Sequence, residues 1–303
     1  MSFYEGKKVL VTGGTGFCGR HVVEALLEQG AEVLTPIHKN CDLTQELNCL
    51  GMTQGMDYVF HFAGAVGNAG ADPAFIMSAI ATNLTLTSRI LHACWKVGVK
   101  RLLLCGSSTV YPDLDHPVTE DEALSGPLHP SYFGYGSMYR YIEQLADFVT
   151  MRSDLKIARV RPTAVYGRGD TSDHVIPSLI RKAVDKADPF VVWGNGKQTR
   201  DFLHVTDLAR GCLFMLEHYA VNDPVNIGYG TSVCIADVVK TLLHAAGHKP
   251  AAMYFDVNLP TAIPYRAVDC SKAKTLGFEA QMSLEKGLND TVEWYKETQC
   301  VSV

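Results

Sequence analysis

The sequence of 303 residues lacks the patterns that mark disulfide scaffolds, metal sites and nucleic-acid binding. Its nine cysteines form no CxxC pair and are irregularly spaced, which favours reduced cytosolic thiols. Its eleven histidines include no HExxH pattern, so we predict no metal site. The net charge of −5 is mild and there is no basic stripe, which argues against a nucleic-acid partner.

The sequence also shows no charged-then-apolar leader and no apolar run that we expect to cross a bilayer. We therefore predict a cytoplasmic protein without a membrane partner. With 47% hydrophobic and 19% charged residues, the composition is typical of a globular chain. The length suits one large α/β unit, or a large domain with a smaller partner.

The first part of the chain alternates strand-like and helix-like segments, which predicts parallel strands joined by right-handed crossovers. KKVLVTG is a continuous apolar run typical of a strand buried on both faces, and GRHVVEALLEQG follows with helical spacing. Further strands are predicted at AEVLTPI, DYVFHFAG, KRLLLCGSS and KIARVRPTAVYG, and helices at 83–97 and 131–151. The predicted fold class is α/β, a Rossmann-type doubly wound parallel sheet.

After about residue 165 the pattern becomes less regular and richer in Gly, Pro and Asn. We predict a dinucleotide-binding domain over 1–165, to which part of 197–230 returns. Residues 166–303 are predicted to form mainly a smaller, interleaved α/β domain that binds substrate.

The stretch LVTGGTGFCG places Gly13, Gly16 and Gly19 between a strand and a helix. Such glycines permit a tight turn, a close approach of backbone to a pyrophosphate, and close packing of helix on strand. Free N–H groups and the positive end of the helix dipole then face the phosphates. We predict a dinucleotide site here that includes Phe17 and Cys18.

The end of the second predicted strand favours NADP(H) over NAD(H). An acid is expected there if the ribose 2′-hydroxyl is to be bound. The sequence instead has Ile37, followed by His38 and Lys39. Positive groups without a carboxylate suit a 2′-phosphate, although Lys39 as a solvated loop charge is nearly as good an interpretation, and NAD(H) stays open.

These motifs, in this order, resemble the extended short-chain dehydrogenase/reductase family of NAD-dependent epimerases and dehydratases. The resemblance rests on TGGTGFCG, CDL, HFAG, CGSSTVYP, RPTAVYG and GNGKQTRDFLHVTDLA, and it covers nearly the whole chain. The short link to CDL, the HVIP at 174–177 and a tryptophan seven residues before an arginine are similar to the GDP-fucose synthase-like branch.

The resemblance implies site residues as well as a fold. Asp42 and Leu43 would contact adenine, Ala63 and Gly64 would line the ribose and nicotinamide, and Pro162 would lie beside the carboxamide. The implied substrate is a nucleoside-diphosphate sugar, which Trp193, Arg200 and Arg266 would bind; arginine suits diphosphate because its planar head binds phosphate oxygens bidentately. Homodimers are implied by the family's habit of pairing helices.

Hydride transfer to a ketone leaves charge on oxygen, so a proton donor must lie against that oxygen. Tyr135 is the candidate donor, and Ser107, at the end of a predicted parallel strand, would orient the same oxygen. By the resemblance, position 139 should hold a lysine that lowers the pKa of the tyrosine and binds the cofactor ribose. The sequence has Tyr139, which offers a hydroxyl but no charge. Arg140 is turned by about 100° on a helix and is no simple substitute.

The missing lysine favours reduction over oxidation. A phenol with a pKa near 10 costs roughly 4 kcal/mol to ionise at neutral pH, a penalty for a general base but hardly for a general acid. Ser108 and Thr109 replace the acidic pair of the family's dehydratases, which argues against dehydration. Thr109 also stands where the fucose synthase branch has a cysteine base, and Ala164 where relatives have a substrate-binding asparagine. His174 matches the branch's second acid/base residue, or is a surface or substrate-contacting histidine.

Three functions stay open from the sequence. The first is an NAD(P)-dependent reductase of a 4-keto sugar linked to a nucleoside diphosphate, with Tyr135 as the proton donor. The second is an epimerase that recovers a base through His174. The third is a cofactor-binding protein with little turnover, for which the missing lysine is the evidence and the retained Ser107, Tyr135, Trp193 and Arg200 are the counter-evidence.

Overall fold

The computed structural model describes residues 2–65 and 72–300. The strands are β1 (Lys8–Thr12), β2 (Glu32–Leu34), β3 (Tyr58–His61), β4 (Arg101–Cys105), β5 (Lys156–Pro162), β6 (Ala164–Tyr166), β7 (Phe190–Trp193), β8 (Thr199–His204), β9 (Pro224–Ile227), β10 (Ser232–Cys234), β11 (Met253–Asp256) and β12 (Tyr265–Arg266). The helices are α1 (Phe17–Glu28), α2 (Glu46–Thr53), α3 (Pro73–Val97), α4 (Phe133–Thr150), α5 (Val175–Val184), α6 (Val205–His218), α7 (Ile235–Ala246), α8 (Ser271–Thr275) and α9 (Leu284–Cys300).

The main sheet has six parallel strands in the order β2-β1-β3-β4-β5-β9. Alternate residues of its strands enter two different cores, because side chains of a strand point to opposite faces. Val9 and Val11 pack with α1 and α6 on one face, while Leu10 packs with α2, α3 and α4 on the other. Burial on both faces explains the continuous apolar strands, and the predicted Rossmann-type fold is confirmed.

The strand order reverses between β1 and β3, since the chain runs from β1 to β2 on one side and from β3 to β5 on the other. Open α/β sheets bind ligands outside the carboxyl ends of the strands at such a switch point. The glycine loop after β1 and the Ala63–Gly64 segment after β3 both lie there.

The second region centres on β8, which pairs with β10 and β12 along its first half and with β6 along its second half. β7 and β11 form a separate parallel pair. A third core joins these strands to α5, α7 and α9. Meanwhile β9 joins the main sheet and α6 packs against α1, so this part of the chain contributes to both regions.

Three predicted elements differ from the observed ones. The second strand spans only Glu32–Leu34, not AEVLTPI, and α3 begins at Pro73 rather than at residue 83, because Asp72 caps it by accepting a hydrogen bond from Ala74 N at 2.7 Å. KIARVRPTAVYG is two strands broken at Thr163, since β5 pairs with β4 and β9 whereas β6 crosses to β8.

The prediction that no segment could cross a bilayer is wrong for α3 by length and composition alone, because this helix passes both criteria. In the structure it is a layer helix that packs between α2 and α4 and buries side chains such as Ile90 against the sheet. An apolar helix that covers a parallel sheet has the same composition as a membrane-spanning one.

Candidate active site

The glycine loop has the geometry of a cradle for a phosphate group. Gly13 has a φ of +68°, and a Cβ there would lie 2.6 Å from the backbone of Phe62 and Ala63. A Cβ on Gly19 would overlap the Gly13 carbonyl oxygen. The loop closes through a hydrogen bond from Gly16 N to Gly13 O at 2.9 Å. Only glycine permits both the turn and these close approaches.

The start of α1 is open to an anion. Within the described part of the chain, its N-cap residue Gly16 gives no side-chain cap, and its first turn contains no acidic residue. The N–H groups that begin with Phe17 and Cys18 are therefore left for a ligand. Burial, with the charge of Asp170, raises the pKa of the Cys18 thiol to about 12, so this neighbour stays neutral. The residues present thus fit the pyrophosphate of a dinucleotide.

The residues predicted to bind the adenosine part of the cofactor differ in their exposure. His38 and Lys39 are exposed on the loop after β2, beside an exposed Ile37. Asp42 accepts hydrogen bonds from Thr44 N at 2.9 Å and Thr44 Oγ1 at 2.8 Å, which hold its pKa below the usual range. Leu43 is buried in the core beneath α2 and α3, so any adenine contact by its side chain stays a prediction.

The segment after β3 is fixed by a side chain that sequence reasoning missed. Asn83 of α3 accepts a hydrogen bond from Ala65 N at 2.7 Å and donates one to Ala65 O at 2.8 Å. It also lies against Gly64, where a Cβ would be 3.1 Å from Asn83 Oδ1. A buried asparagine in an apolar helix was the available signal, because buried polar groups require partners. Pro162 lies at the end of β5, buried and paired with Ile227.

Ser107 follows the end of β4, and its side-chain oxygen already accepts hydrogen bonds. Its Oγ accepts hydrogen bonds from Thr109 N at 3.2 Å and Thr109 Oγ1 at 3.1 Å. The Ser107 hydrogen is left to be donated, which suits a hydroxyl that orients a carbonyl oxygen. The Thr109 hydroxyl thus already donates its hydrogen to Ser107, and a threonine hydroxyl is a poor base in any case.

Tyr135 and Tyr139 lie one turn apart on the same face of α4, and both pack at the edge of the core beneath α3. Burial raises the pKa of Tyr139, and the nearby acidic groups of Cys105, Tyr135 and Cys18 raise it further. Tyr139 is therefore neutral at working pH. These neighbours show that it lies between the end of β4 and the start of α1.

Arg140 does not take the place of the missing cation. Its Nε donates to Val110 O at 2.8 Å, and its Nη2 donates to Gly126 O at 3.2 Å. The guanidinium therefore fastens the loops that follow β4 to α4 instead of facing the Tyr135–Tyr139 side.

Two of the predicted substrate residues are direct neighbours. Arg200 of β8 and Arg266 of β12 are paired across the strands, and burial is the main cause that lowers the pKa of each. Arg200 Nη2 donates to Ile263 O at 2.6 Å, and Arg266 Nη1 donates to Pro112 O at 3.0 Å. Arg266 is buried and Arg200 is half-buried, and two adjacent guanidinium groups are chemically suited to the two phosphates of a diphosphate.

Tyr132 and Asp113 are neighbours of this pair that sequence reasoning missed. The Arg266 guanidinium lies 6.0 Å from the Tyr132 ring centre, and Asp113 acts on the pKa of both arginines. No sequence signal distinguished them, because they come from loops far from both strands.

The remaining predicted residues lie on the surface. Trp193 ends β7 with 47% of its surface exposed, as a platform for a planar base would be. His174 is the exposed N-cap residue of α5, next to the ion pair of Asp173 with Arg181 at 2.6 Å. Within residues 2–65 and 72–300, no three potential ligand side chains form a metal cluster.

A buried ion pair supports the inner side of α4. Glu143 accepts two hydrogen bonds from Arg161, at 2.8 and 2.6 Å, and Arg161 also donates to Tyr111 OH at 2.9 Å. Tyr111 in turn donates to Asn226 Oδ1 at 2.5 Å. The arginine in an apolar strand was the available signal, since a buried charge needs a partner. The network fixes α4 against the sheet.

Comparison with known proteins defines the class. The model of the NAD dependent epimerase/dehydratase family matches residues 9–228. The chain is 32% identical to "Putative GDP-L-fucose synthase 2" of Arabidopsis thaliana, over 96% of this chain and 92% of that protein. It is 28% identical to the GDP-L-fucose synthase of Escherichia coli (strain K12), over 97% and 98%.

A solved structure is also similar. The GDP-L-fucose synthetase of Naegleria fowleri bound to NADP has a TM-score of 0.88 and 26% identity, covering 99% of this chain and 95% of that one. The chain belongs to the NAD dependent epimerase/dehydratase family. It is an NAD(P)-dependent enzyme, and its predicted place beside the GDP-fucose synthases is confirmed.

Proposed function

We propose that this protein reduces the C4 ketone of a nucleoside-diphosphate sugar with NADPH. The observation that carries the proposal is the set of Ser107, Tyr135 and a neutral Tyr139 at the carboxyl end of β4. A bound nicotinamide supplies the hydride. The side chains provide a proton donor and a donor that orients oxygen, without a cation that would favour the phenolate of Tyr135 before reaction.

Each residue has a distinct part in the reaction. Ser107 donates its hydrogen to the carbonyl oxygen and so orients the carbonyl carbon. Tyr135 transfers its phenolic proton to the oxygen as charge develops there. The product is the alcohol, and the Tyr135 phenolate regains its proton from solvent.

We propose guanosine diphosphate as the nucleotide, because the relatives named above carry that nucleotide in their names. Arg200 and Arg266 would bind the diphosphate, and the exposed Trp193 face would stack on the base. NADP(H) is the proposed cofactor form, which the exposed Lys39 supports.

Epimerisation is the second candidate and has less support. It needs a base on each face of the sugar carbon that loses and regains a proton. Thr109 is committed to Ser107 and cannot supply that base, which leaves His174 alone. A cofactor-binding protein with little turnover is the third candidate, and the adjacent Arg200 and Arg266 argue against it, because a protein that binds only the cofactor needs no such pair.

The deciding experiment follows NADPH absorbance with GDP-4-keto-6-deoxymannose as substrate, and analyses the product by NMR. Reduction without inversion at C3 and C5 is the expected result. Inversion at those carbons would favour the epimerase. Tight NADPH binding without turnover on a panel of 4-keto nucleotide sugars would favour the cofactor-binding protein. Co-purified oxidised cofactor that turns over without added NADPH would also contradict the reductase.

We further propose a cytoplasmic homodimer. The outer faces of α3 and α4 expose Trp95, Tyr141 and Phe148, each about half exposed. Exposed apolar side chains on two packed helices suit a self-complementary interface. Light scattering on the purified protein tests the dimer, and a Tyr141→Glu, Phe148→Glu double variant should be monomeric.

A further inference from the structure

A small cavity lies between the main sheet and the helices α3 and α4, beneath Tyr139. Its volume is about 20 Å³, and its lining includes His61, Thr87, Tyr139, Glu143 and Arg159. A cavity of roughly this size accommodates one water molecule if two to four polar groups face it. Five of its lining residues have polar side chains.

A chain of hydrogen bonds leads from the cofactor edge of the sheet into this cavity. Ala63 N donates to Thr12 Oγ1 at 3.3 Å, and Thr12 Oγ1 lies 2.8 Å from His61 Nδ1. Burial lowers the pKa of His61 to about 4, so the ring is neutral and has one N–H. Thr12 is fully buried, and among the described residues His61 Nδ1 is the acceptor within reach of its hydrogen, so we assign the Thr12 hydrogen to the bond with Nδ1.

With this assignment, every hydrogen bond in the series from Ala63 to Thr87 is donated in the same direction. With Nδ1 as acceptor, His61 Nε2 carries the hydrogen and donates to Thr87 Oγ1 at 3.1 Å. The hydrogen of Thr87 is then left to be donated into the cavity. The chain therefore presents a donor, not an acceptor, beneath Tyr139.

A second donor lines the same cavity. Arg159 is 8% exposed, and its Nε has no hydrogen-bond partner among the described residues. Its other nitrogens are used: Nη1 donates to Glu143 O at 3.1 Å and pairs with Asp147 at 3.1 Å, and Nη2 donates to Asn222 O. An unpaired buried N–H is costly, so a partner in the cavity would relieve it.

We propose that the cavity binds one water molecule, which accepts hydrogen bonds from Thr87 and Arg159 and donates one to the Tyr139 oxygen, so that the Tyr139 hydrogen is directed toward Tyr135. Thr87, His61 and Arg159 are then positioning residues for Tyr139. The inference rests on the proposed reduction: after Tyr135 gives its proton to the substrate oxygen, its phenolate accepts a hydrogen bond from Tyr139, which keeps its own proton. A neutral hydrogen bond thereby takes the part of the family's lysine.

The groups around Tyr139 are consistent with this neutral arrangement. Cys105 faces it from β4, Cys18 from α1, Tyr135 from its own helix, and His61 through the cavity. The remaining charges at the cavity, Glu143 and Arg159, are engaged in ion pairs with Arg161 and Asp147.

The kinetic test is Thr87→Val, which removes the hydroxyl and keeps the shape. We expect kcat for ketone reduction to fall about fivefold with KM unchanged, because the phenolate loses an oriented hydrogen bond. The alkaline limb of the kcat profile should move to higher pH. Thr85→Val is the matched control, since Thr85 is on the same helix and, among the described residues, its hydroxyl bonds only Ala81 O of that helix, at 2.9 Å.

Repeating Thr87→Val in a Tyr139→Lys background separates positioning from stability. An ammonium at 139 acts on Tyr135 by charge and needs no orienting water, so there the threonine change should alter kcat less than twofold. An equal loss of kcat in both backgrounds, or an unchanged alkaline limb, would overturn the proposal.

A high-resolution crystal structure of the wild-type protein with NADPH gives a readout independent of turnover. We expect an ordered water within hydrogen-bond distance of Tyr139 Oη, Thr87 Oγ1 and Arg159 Nε. A dry cavity in an active reductase would overturn the water site alone. An occupied cavity in a protein that reduces no 4-keto nucleotide sugar would overturn the proposed function and leave the site standing.

Discussion

The glycine loop after β1 and the inner face of α4 approach the same edge of the sheet, yet they depend on different physics. At the loop, backbone atoms lie so close that any side chain at Gly13 or Gly19 would overlap them. On α4 the structure accepts Tyr139 where the family pattern has a lysine, because a long neutral side chain fits near Cys105 and Cys18. Cofactor binding is thus fixed by steric limits, whereas the protonation chemistry is open to change.

The largest expected effect separates chemistry from binding. Tyr135→Phe should lower kcat for ketone reduction about a thousandfold, because the general acid is lost. The NADPH dissociation constant, measured by fluorescence titration, should change less than twofold. Tyr141→Phe on the exposed face of α4 is the control. Undiminished turnover in Tyr135→Phe would remove the basis of the proposed mechanism.

Gly13→Ala should instead affect stability and cofactor binding. Its Cβ would lie 2.6 Å from backbone atoms at a φ of +68°, so we expect at least about 3 kcal/mol of destabilisation and a hundredfold loss of NADPH affinity. Gly55→Ala has a similar φ of +75° but open space, and should cost about 1 kcal/mol. Urea unfolding measures the free energy of unfolding of both variants. Equal destabilisation would show that the close approach at Gly13 does not contribute to stability.

A third prediction uses two buried groups, one in each region, whose contributions to folding stability change in opposite directions with pH. His61 has a pKa lowered to about 4 by burial, so the stability it contributes is present above pH 6.5 and is lost as pH falls toward 4. Burial raises the pKa of Asp201 to about 6, against hydrogen bonds from Tyr229 N and Gly230 N. Its contribution is therefore present near pH 4 and is lost as pH rises toward 6.

Between pH 4 and 6 the two contributions to the free energy of unfolding change in opposite directions, each by up to about 3 kcal/mol. Urea unfolding of His61→Gln should show stability that rises toward acid, from Asp201 alone. Asp201→Asn should show stability that falls toward acid, from His61 alone. Parallel curves for the two variants would contradict both assignments.

The smallest effect concerns the form of the cofactor. Lys39→Ala should weaken NADPH binding about fivefold at low salt and leave NADH binding unchanged, since an exposed ammonium adds about 1 kcal/mol to a phosphate contact. Titrating both cofactors at two salt concentrations checks it. An equal loss for NADH would show that Lys39 does not face a 2′-phosphate.

Local patterns were enough to predict the main sheet and the glycine loop. Continuous apolar strands such as KVLVT and glycines at 13, 16 and 19 carry their structural reason within a few residues. The break of KIARVRPTAVYG at Thr163 was not predictable in this way, because both halves have strand-forming residues and only their different partners, β4 and β9 against β8, separate them. The same holds for Tyr132 and Asp113, which approach Arg200 and Arg266 from remote loops.

The sequence by itself determined the fold class, the phosphate cradle and the loss of a cation at position 139. Each of these depends on residue type and on spacing along one strand or helix. Tertiary structure alone decided that the Thr109 hydroxyl bonds Ser107, that Arg140 turns to the loops after β4, and that Tyr139 lines a small cavity. Those facts depend on the direction of side chains, and that direction is set only when the helices and loops pack on the sheet.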